Sequence, residues 1–156
     1  MGWLEDFAYT LVSQYGYLGV FVVSFLSSAT VFFPVPSHII VFLFSVDNYP
    51  LFIGLLAAVG SCLGELTSYG VGRGSLKLLE KYEREIEKWK EKINRYGMFA
   101  LLIVFAATPL PDDVLGIFAG VARYDLKKFL LATFIGKALM YVFIAYTGSF
   151  FWEWAL

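Results

Sequence analysis

Charge is missing from a long stretch near the start of the chain: no Asp, Glu, Lys or Arg occurs between residues 7 and 46. Only 16% of the 156 residues are charged and 59% are hydrophobic. A soluble domain usually carries charge on about 25% of its residues. This composition is typical of an integral membrane protein, and the length predicts a single membrane domain over residues 1–156.

The scarcity of cysteine and histidine excludes several classes of protein. One cysteine, Cys62, cannot form an internal disulfide. With a single histidine, His38, we find neither a His/Cys metal cluster nor a Ser-His-Asp order. We therefore expect no enzyme, no cofactor and no metal. Glutamates neutralise the basic segment, so nucleic-acid binding is not expected. Glu5 and Asp6 near the N-terminus, without a basic residue, do not resemble a cleavable signal peptide.

Prolines are few, yet four of the five form two Pro-x-Pro segments, Pro34 with Pro36 and Pro109 with Pro111. Proline lacks a backbone donor and clashes with the preceding turn, so a helix cannot run through either segment. The apolar runs 99–107 and 114–122 are each about 15 Å of helix, against the ~30 Å of a bilayer core. We predict that each Pro-x-Pro forms the tip of a re-entrant helical hairpin at membrane depth.

Two longer apolar segments, residues 51–72 and 129–150, are predicted to span the membrane. Each contains one charged residue, Glu65 in the first and Lys137 in the second. Intramembrane charges are costly and usually paired, so we expect these two to form an ion pair. The alternative is that Lys137 extends towards the interface. A GxxxG at residues 60–64 favours close helix packing within the fold and leaves homo-oligomerisation open.

The same order of elements occurs twice. The sequence predicts an interfacial helix over 1–14, a first repeat over 15–74, a charged amphipathic helix over 75–95 and a second repeat over 96–150. An offset of 75 residues places Pro34 on Pro109. Each unit crosses the membrane once, so the second enters upside down. The predicted fold is therefore an all-α inverted repeat of two units, each a re-entrant hairpin plus a transmembrane helix.

Basic residues are confined to one part of the chain. Eleven of the twelve lie between residues 73 and 128, and Lys137 is the twelfth. The positive-inside rule then places segment 75–95 in the cytoplasm and the protein in the cell membrane. This segment carries an apolar stripe at helical spacing that includes Ile86, Trp89 and Ile93. The stripe favours a helix lying on the bilayer, with a coiled coil as the alternative.

Five polar residues are candidates for a substrate or proton pathway: His38, Asp112, Asp113, Glu65 and Lys137. The 75-residue offset sets His38 opposite Asp113, and the intrinsic pKa of histidine, near ~6.5, suits a proton switch. The alternative for His38 is a bond to a backbone carbonyl at a helix start. Adjacent carboxylates at membrane depth repel each other and favour proton or cation handling. Alternatively, one of them caps the helix that follows.

Arg73 and Arg123 end apolar segments on the basic side of the predicted topology. They are either plain topology signals or ligands for a lipid phosphate.

Three segments resemble the DedA family, also described as the VTT or SNARE-associated-type membrane domain. LGELTSYGVGR at 63–73 resembles the family segment G-[DE]-x-x-x-Y-x-x-G-R, and FAGVAR at 118–123 resembles F-A-G-x-x-R. FPVPS at 33–37 resembles the first re-entrant loop. Where family members commonly carry Glu, this chain has His38, and where they carry arginines it has Ala106 and Asp112.

The resemblance implies two facing re-entrant loops and movement of lipids between leaflets. For bacterial members it implies polyprenyl phosphate recycling and proton-dependent transport, and for eukaryotic relatives phospholipid scrambling. We therefore expect a transporter, flippase or scramblase for an amphipathic, phosphate-bearing lipid, with membrane lipids and protons or cations as partners. The alternative is a structural or assembly protein that recruits partners through the helix at 75–95.

Overall fold

The computed structural model describes residues 2–30, 37–75, 81, 83–108 and 112–155, and helix dominates these residues. None of them forms a β-strand, which confirms the all-α prediction. Pro34, Pro36, Pro109, Pro111 and residues 76–80 lie outside the described residues. The helices are α1 Trp3–Tyr15, α2 Tyr17–Ala29, α3 Ser37–Phe44, α4 Pro50–Gly64, α5 Leu66–Gly74, α6 Glu83–Tyr96, α7 Met98–Ala106, α8 Asp113–Val121 and α9 Leu126–Ala155.

Two helical stretches are long and apolar enough to cross a bilayer. Pro50–Gly74, which joins α4 and α5, has 25 residues, and Leu126–Trp154 within α9 has 29. At 1.5 Å per residue they extend roughly 37 and 43 Å. By contrast, α2 has 13 residues, α3 has eight, and α7 and α8 have nine each. These four helices fall short of the ~30 Å hydrocarbon core.

The first long stretch is divided into two helices at Glu65, which the sequence did not predict. Helix α4 ends at Gly64 and α5 begins at Leu66. Hydroxyls around this point fold back on the backbone: Thr67 Oγ1 donates to the Gly64 carbonyl at 2.8 Å, and Ser68 Oγ donates to the Glu65 carbonyl at 2.8 Å. Side-chain bonds of this kind compete with the helical ladder and bend it.

Each half of the chain opens with a Tyr-Gly step, and the structure explains the glycine. Gly16 has φ of +54° before α2, and Gly97 has φ of +81° before α7. Side chains other than hydrogen are disfavoured in this left-handed region. Glycine at both positions therefore ends one helix and starts the next without strain.

The helices of the two halves pack across each other. Helix α4 packs against α2 and α9, α3 packs against α9, α5 packs against α8, and α7 packs against α9. The GxxxG is used inside the chain, because Gly60 and Gly64 sit directly on the backbone of Phe21 and Phe25 in α2. This confirms the expected close packing within the fold.

Two apolar clusters lie at opposite ends of the bundle. One includes Val20, Ile53 and Tyr141, and the other includes Leu102 and Phe129. Helix α9 contributes to both clusters, and its buried polar residues Thr133 and Lys137 fall between those contributions. The middle of the bundle is therefore polar, with hydrocarbon-like packing on either side.

The two amphipathic helices are only partly attached to this bundle. In α1, Ala8 and Val12 are buried while Trp3 is 73% exposed. In α6, Ile93 packs against the second cluster, but Trp89 is 58% exposed and lies under the ammonium of Lys92. The outward aromatic rings are suited to a membrane interface.

A substitution in α5 tests the contact between α5 and α8. A Cβ added at Gly72 would collide with the backbone carbonyl of Ile117, whereas Gly70 in the same helix has nothing within 4 Å. We expect Gly72→Ala to destabilise the protein by about 1–3 kcal/mol. Gly70→Ala should leave stability unchanged or raise it, because alanine is the better helix former. Thermal unfolding in detergent measures both, and equal midpoints would contradict the packing described.

Candidate functional site

A buried ammonium lies at the centre of the bundle. Lys137 Nζ is 3.2 Å from Glu65 Oε1 and 2.5 Å from Asp112 Oδ2. The Lys137 side chain is 7% exposed and that of Glu65 is 3% exposed. The predicted Glu65–Lys137 ion pair is therefore present. The alternative, in which Lys137 extends towards the interface, is wrong.

Asp112 is the third member of this group, and its role differs from a helix cap. It occupies the N-cap position of α8, but its side chain makes no capping hydrogen bond. Its carboxylate is directed at Lys137 instead. A buried ammonium is a stronger partner for a carboxylate than a neutral backbone N–H, so the capping interpretation is wrong for Asp112. We call Glu65, Asp112 and Lys137 the charge triad.

Small residues allow α5 and α8 to pack closely beside the charge triad. Ser68 Oγ hydrogen-bonds Glu65 Oε2 at 3.2 Å. A Cβ at Gly116 in α8 would collide with that hydroxyl. Glu65 and Asp112 also border a small cavity of about 10 Å³ with Thr133, which is room for about one water. The triad is thus enclosed, and it holds two carboxylates for one ammonium.

His38 lies beside the charge triad at the start of α3. Its ring stacks on Tyr141, with centroids 5.4 Å apart and an interplanar angle of 21°. Tyr141 hydroxyl is hydrogen-bonded to Ser37 Oγ at 2.9 Å, and Ser37 Oγ donates to Ser27 Oγ at 3.0 Å. Tyr141 follows Lys137 by one helical turn, so α9 presents both to the same region. The sequence analysis missed Tyr141, although this i,i+4 spacing was a usable signal.

Two polar atoms near the charge triad are buried without a hydrogen-bond partner in the described part of the chain. They are His38 Nε2 and Asp113 Oδ1. Both side chains lie within electrostatic range of Asp112 and Lys137. An unpaired buried polar atom is costly, and such atoms are expected chiefly at functional sites. The structure therefore brings together all five residues proposed for the pathway: Glu65 and Asp112 contact Lys137, and His38 and Asp113 lie near it.

The two arginines lie elsewhere. Helices α5 and α8 run side by side in the same direction, because Gly116 meets Ser68 and Gly120 meets Tyr69 and Arg73. Arg73 and Arg123 are exposed near the ends of these helices. Arg73 lies roughly 12 Å of helix from Glu65.

A hydrogen bond fixes the turn after α8. Tyr69 hydroxyl donates to the Tyr124 carbonyl at 2.6 Å. Partial burial, and to a lesser degree Asp125, raise the pKa of Tyr124, so this phenol stays neutral at physiological pH.

The sharing of the Lys137 ammonium by two carboxylates predicts how substitutions in the triad change the stability of the protein. Lys137→Met leaves two buried carboxylates without a counter-charge and should cost about 3–5 kcal/mol. Glu65→Gln leaves the Asp112–Lys137 pair intact and should cost clearly less. Adding Asp112→Asn and Glu65→Gln to Lys137→Met should recover most of the loss, since no buried charge remains. Unfolding midpoints in detergent measure the series, and strictly additive losses would show that the three side chains do not interact.

Comparison with known proteins finds a matching family and several relatives. The VTT domain family model matches residues 33–150. The inner membrane protein YqaA of Escherichia coli is 33% identical over 128 residues, covering 81% of this chain and 86% of YqaA. An uncharacterized protein of Haemophilus influenzae is 34% identical over 116 residues, covering 74% and 70%.

Archaea also have a relative, the uncharacterized protein MJ0201 of Methanocaldococcus jannaschii, which is 24% identical over 141 residues, covering 86% of this chain and 85% of that protein. No solved structure matches the chain significantly. The family model covers the first long stretch, most of the second and all three members of the charge triad. With two apolar helices around a buried charged centre, this chain is a membrane protein that belongs to the VTT domain family, the DedA family.

Proposed function

We propose that the protein is a transporter or flippase that moves an amphipathic, phosphate-bearing lipid between leaflets in a proton-coupled manner. The observation that carries this proposal is the charge triad, which is enclosed between the two long helices at the middle of the bundle. Buried charges are expensive in a membrane, and proteins keep them there chiefly for ion, proton or substrate pathways.

The order of the helices supports the proposal. Helices α2, α3 and α4–α5 are followed by α7, α8 and α9 in the same order of short, short and long. The second short helix of each half packs on the long stretch of the other half, as α3 does on α9 and α8 on α5. Transporters built from inverted repeats bind substrate where their broken helices meet near the midplane. Two re-entrant hairpins would place this meeting point at the charge triad.

Helix direction adds to the electrostatics of the site. Ser37, the first residue of α3, contacts Tyr141, and Asp112, at the N-cap of α8, contacts Lys137. Both helices therefore begin at the polar centre. The N-terminus of a helix carries a partial positive charge and favours anions. A lipid phosphate entering between these helices meets two helix N-termini and one ammonium.

Protonation would control access to that ammonium. Two carboxylates and one ammonium leave one negative charge in excess, and burial penalises such an imbalance. A proton taken up by the charge triad removes the imbalance and weakens the attraction between its carboxyl groups and Lys137. The ammonium can then bind the incoming phosphate. His38 and Asp113 each have a buried atom beside the triad that finds no hydrogen-bond partner among the described residues, and they would pass protons or contact the headgroup.

A structural or assembly role through α6 is the second candidate. The exposed Trp89 and the small part of α6 that packs on the bundle favour it. A scaffold, however, has no need for a charged centre inside the bundle. Normal lipid transport in protein with α6 deleted would separate the two roles from each other.

Transport in reconstituted vesicles tests the proposal directly. Lys137→Met should abolish movement of a fluorescent phosphate-bearing lipid. His38→Ala and Asp113→Asn should each remove the pH dependence while leaving the unfolding midpoint near that of the wild type. Asp47→Asn, an exposed carboxylate in the turn before α4, serves as the matched control and should transport normally. Wild-type rates and pH profiles in all three site variants would refute the mechanism.

The proposed inverted repeat also predicts which side of the membrane each turn faces. Single cysteines in a Cys62→Ala background should react with an impermeant maleimide from outside the cell at Asp47. At Glu87 in α6 they should react only from inside, as the one-sided basic residues require. Both positions are exposed, so each is open to the reagent. Reaction of both from the same side would exclude an odd number of crossings between them.

A further inference from the structure

A second polar cavity lies far from the charge triad, where α6 meets the turn between α8 and α9. Its volume is about 240 Å³. Lys90 and Asn94 line it from α6, Arg123 lines it from the turn, and Lys128 lines it from the first turn of α9. Three cations from three separate elements therefore border one space, which is large enough for a phosphate group.

The three cations outnumber the carboxylates that line the cavity. None of the glutamates in the described part of α6 is among the lining residues. Asp125 is the one carboxylate at its edge. Asp125 Oδ1 already accepts the backbone N–H of Lys128 at 2.9 Å and so caps the start of α9. The residues that line the cavity therefore carry a net positive charge.

Arg123 is held there in an unfavourable backbone conformation. Its φ is +53°, and among the described residues it is the one non-glycine with positive φ. Arg123 N–H donates to the Gly120 carbonyl at 3.1 Å, and Tyr124 N–H donates to the Ala119 carbonyl at 2.9 Å. This is the Schellman ending of a helix, whose left-handed position is usually glycine. Residues kept in strained conformations are concentrated at ligand clamps and switches.

We propose that this cavity binds a phosphate monoester, with the Arg123 guanidinium as a fork and Lys90 and Lys128 as flanking charges. Guanidinium binds phosphate oxygens in pairs, and ammonium groups add point charges. The phosphate is either a lipid headgroup at the basic side of the membrane or free phosphate in solution. The first source rests on the proposed function, and the second does not. Arg73 does not line the cavity. In the sequence analysis both arginines had the same candidate role, and the cavity assigns phosphate binding to Arg123 alone.

Equilibrium binding to the purified full chain tests the proposal. In one arm, calorimetry in detergent measures inorganic phosphate at roughly 150 mM salt, where long-range attraction is screened. In the other arm, nanodiscs of phosphatidylcholine with a minor share of phosphatidic acid are analysed by native mass spectrometry for retained phosphatidic acid. The variants are Arg123→Gly and Lys128→Gln. The matched control is Lys127→Gln, which removes an exposed neighbouring charge that does not line the cavity.

We expect Arg123→Gly to weaken binding by at least about tenfold, with an unfolding midpoint equal to or above the wild type because glycine suits the turn. Lys128→Gln should weaken binding and Lys127→Gln should not. Binding in the detergent arm assigns free phosphate, and binding only in the nanodisc arm assigns the lipid headgroup. The proposal is overturned if neither arm shows binding, if Arg123→Gly binds as the wild type does, or if Lys127→Gln loses as much as Lys128→Gln.

This outcome is independent of transport. If Lys137→Met protein fails to move lipid yet binds phosphate normally, phosphate binding in the cavity is supported, and it does not depend on transport. If the protein transports lipid normally but binds no phosphate in either arm, the phosphate-binding proposal is overturned and the transport proposal is not.

Discussion

The buried ammonium of Lys137 is the interaction on which the rest of the structure depends. One carboxylate partner, Glu65, lies between α4 and α5, and the other, Asp112, lies at the N-cap of α8. These partners belong to different halves of the chain, and Lys137 itself lies on α9. Removing one partner of a buried pair leaves a charge that nothing compensates. The three helices must therefore be in place together, and the glycines at 72, 116 and 120 permit that approach.

The apolar clusters above and below this centre have a complementary role. They bury Ile53, Phe129 and Tyr141 almost completely, and in a membrane such packing must compete with equally apolar lipid. Close backbone contacts at glycine and buried hydrogen bonds between helices favour helix–helix packing over contact with lipid, which hydrophobicity alone does not do. One such bond joins Ser28 of α2 to Ser61 of α4.

Much of the fold was predictable because helix boundaries depend on local chemistry. Gly16 and Gly97 mark helix starts through their positive φ, and Pro50 stands at the start of α4. The Glu65–Lys137 pair was predictable because each charge is isolated in an apolar segment. Asp112 was harder, since a carboxylate before a helix resembles a cap until a buried cation is seen beside it. The break at Glu65 depends on hydroxyl bonds whose choice of partner the sequence does not determine.

The crossed packing of the halves has a consequence for biogenesis. A ribosome produces Glu65 well before Lys137, so the first long stretch enters the membrane with an acidic residue and no counter-charge. The carboxyl group is neutral at that stage or remains near water, since an isolated charge in hydrocarbon is costly. The counter-charge that Glu65 has in the folded protein is available only after α9 has been made. A chain that stalls before α9 would present an incomplete, polar helix, a feature by which membrane quality control can recognise it.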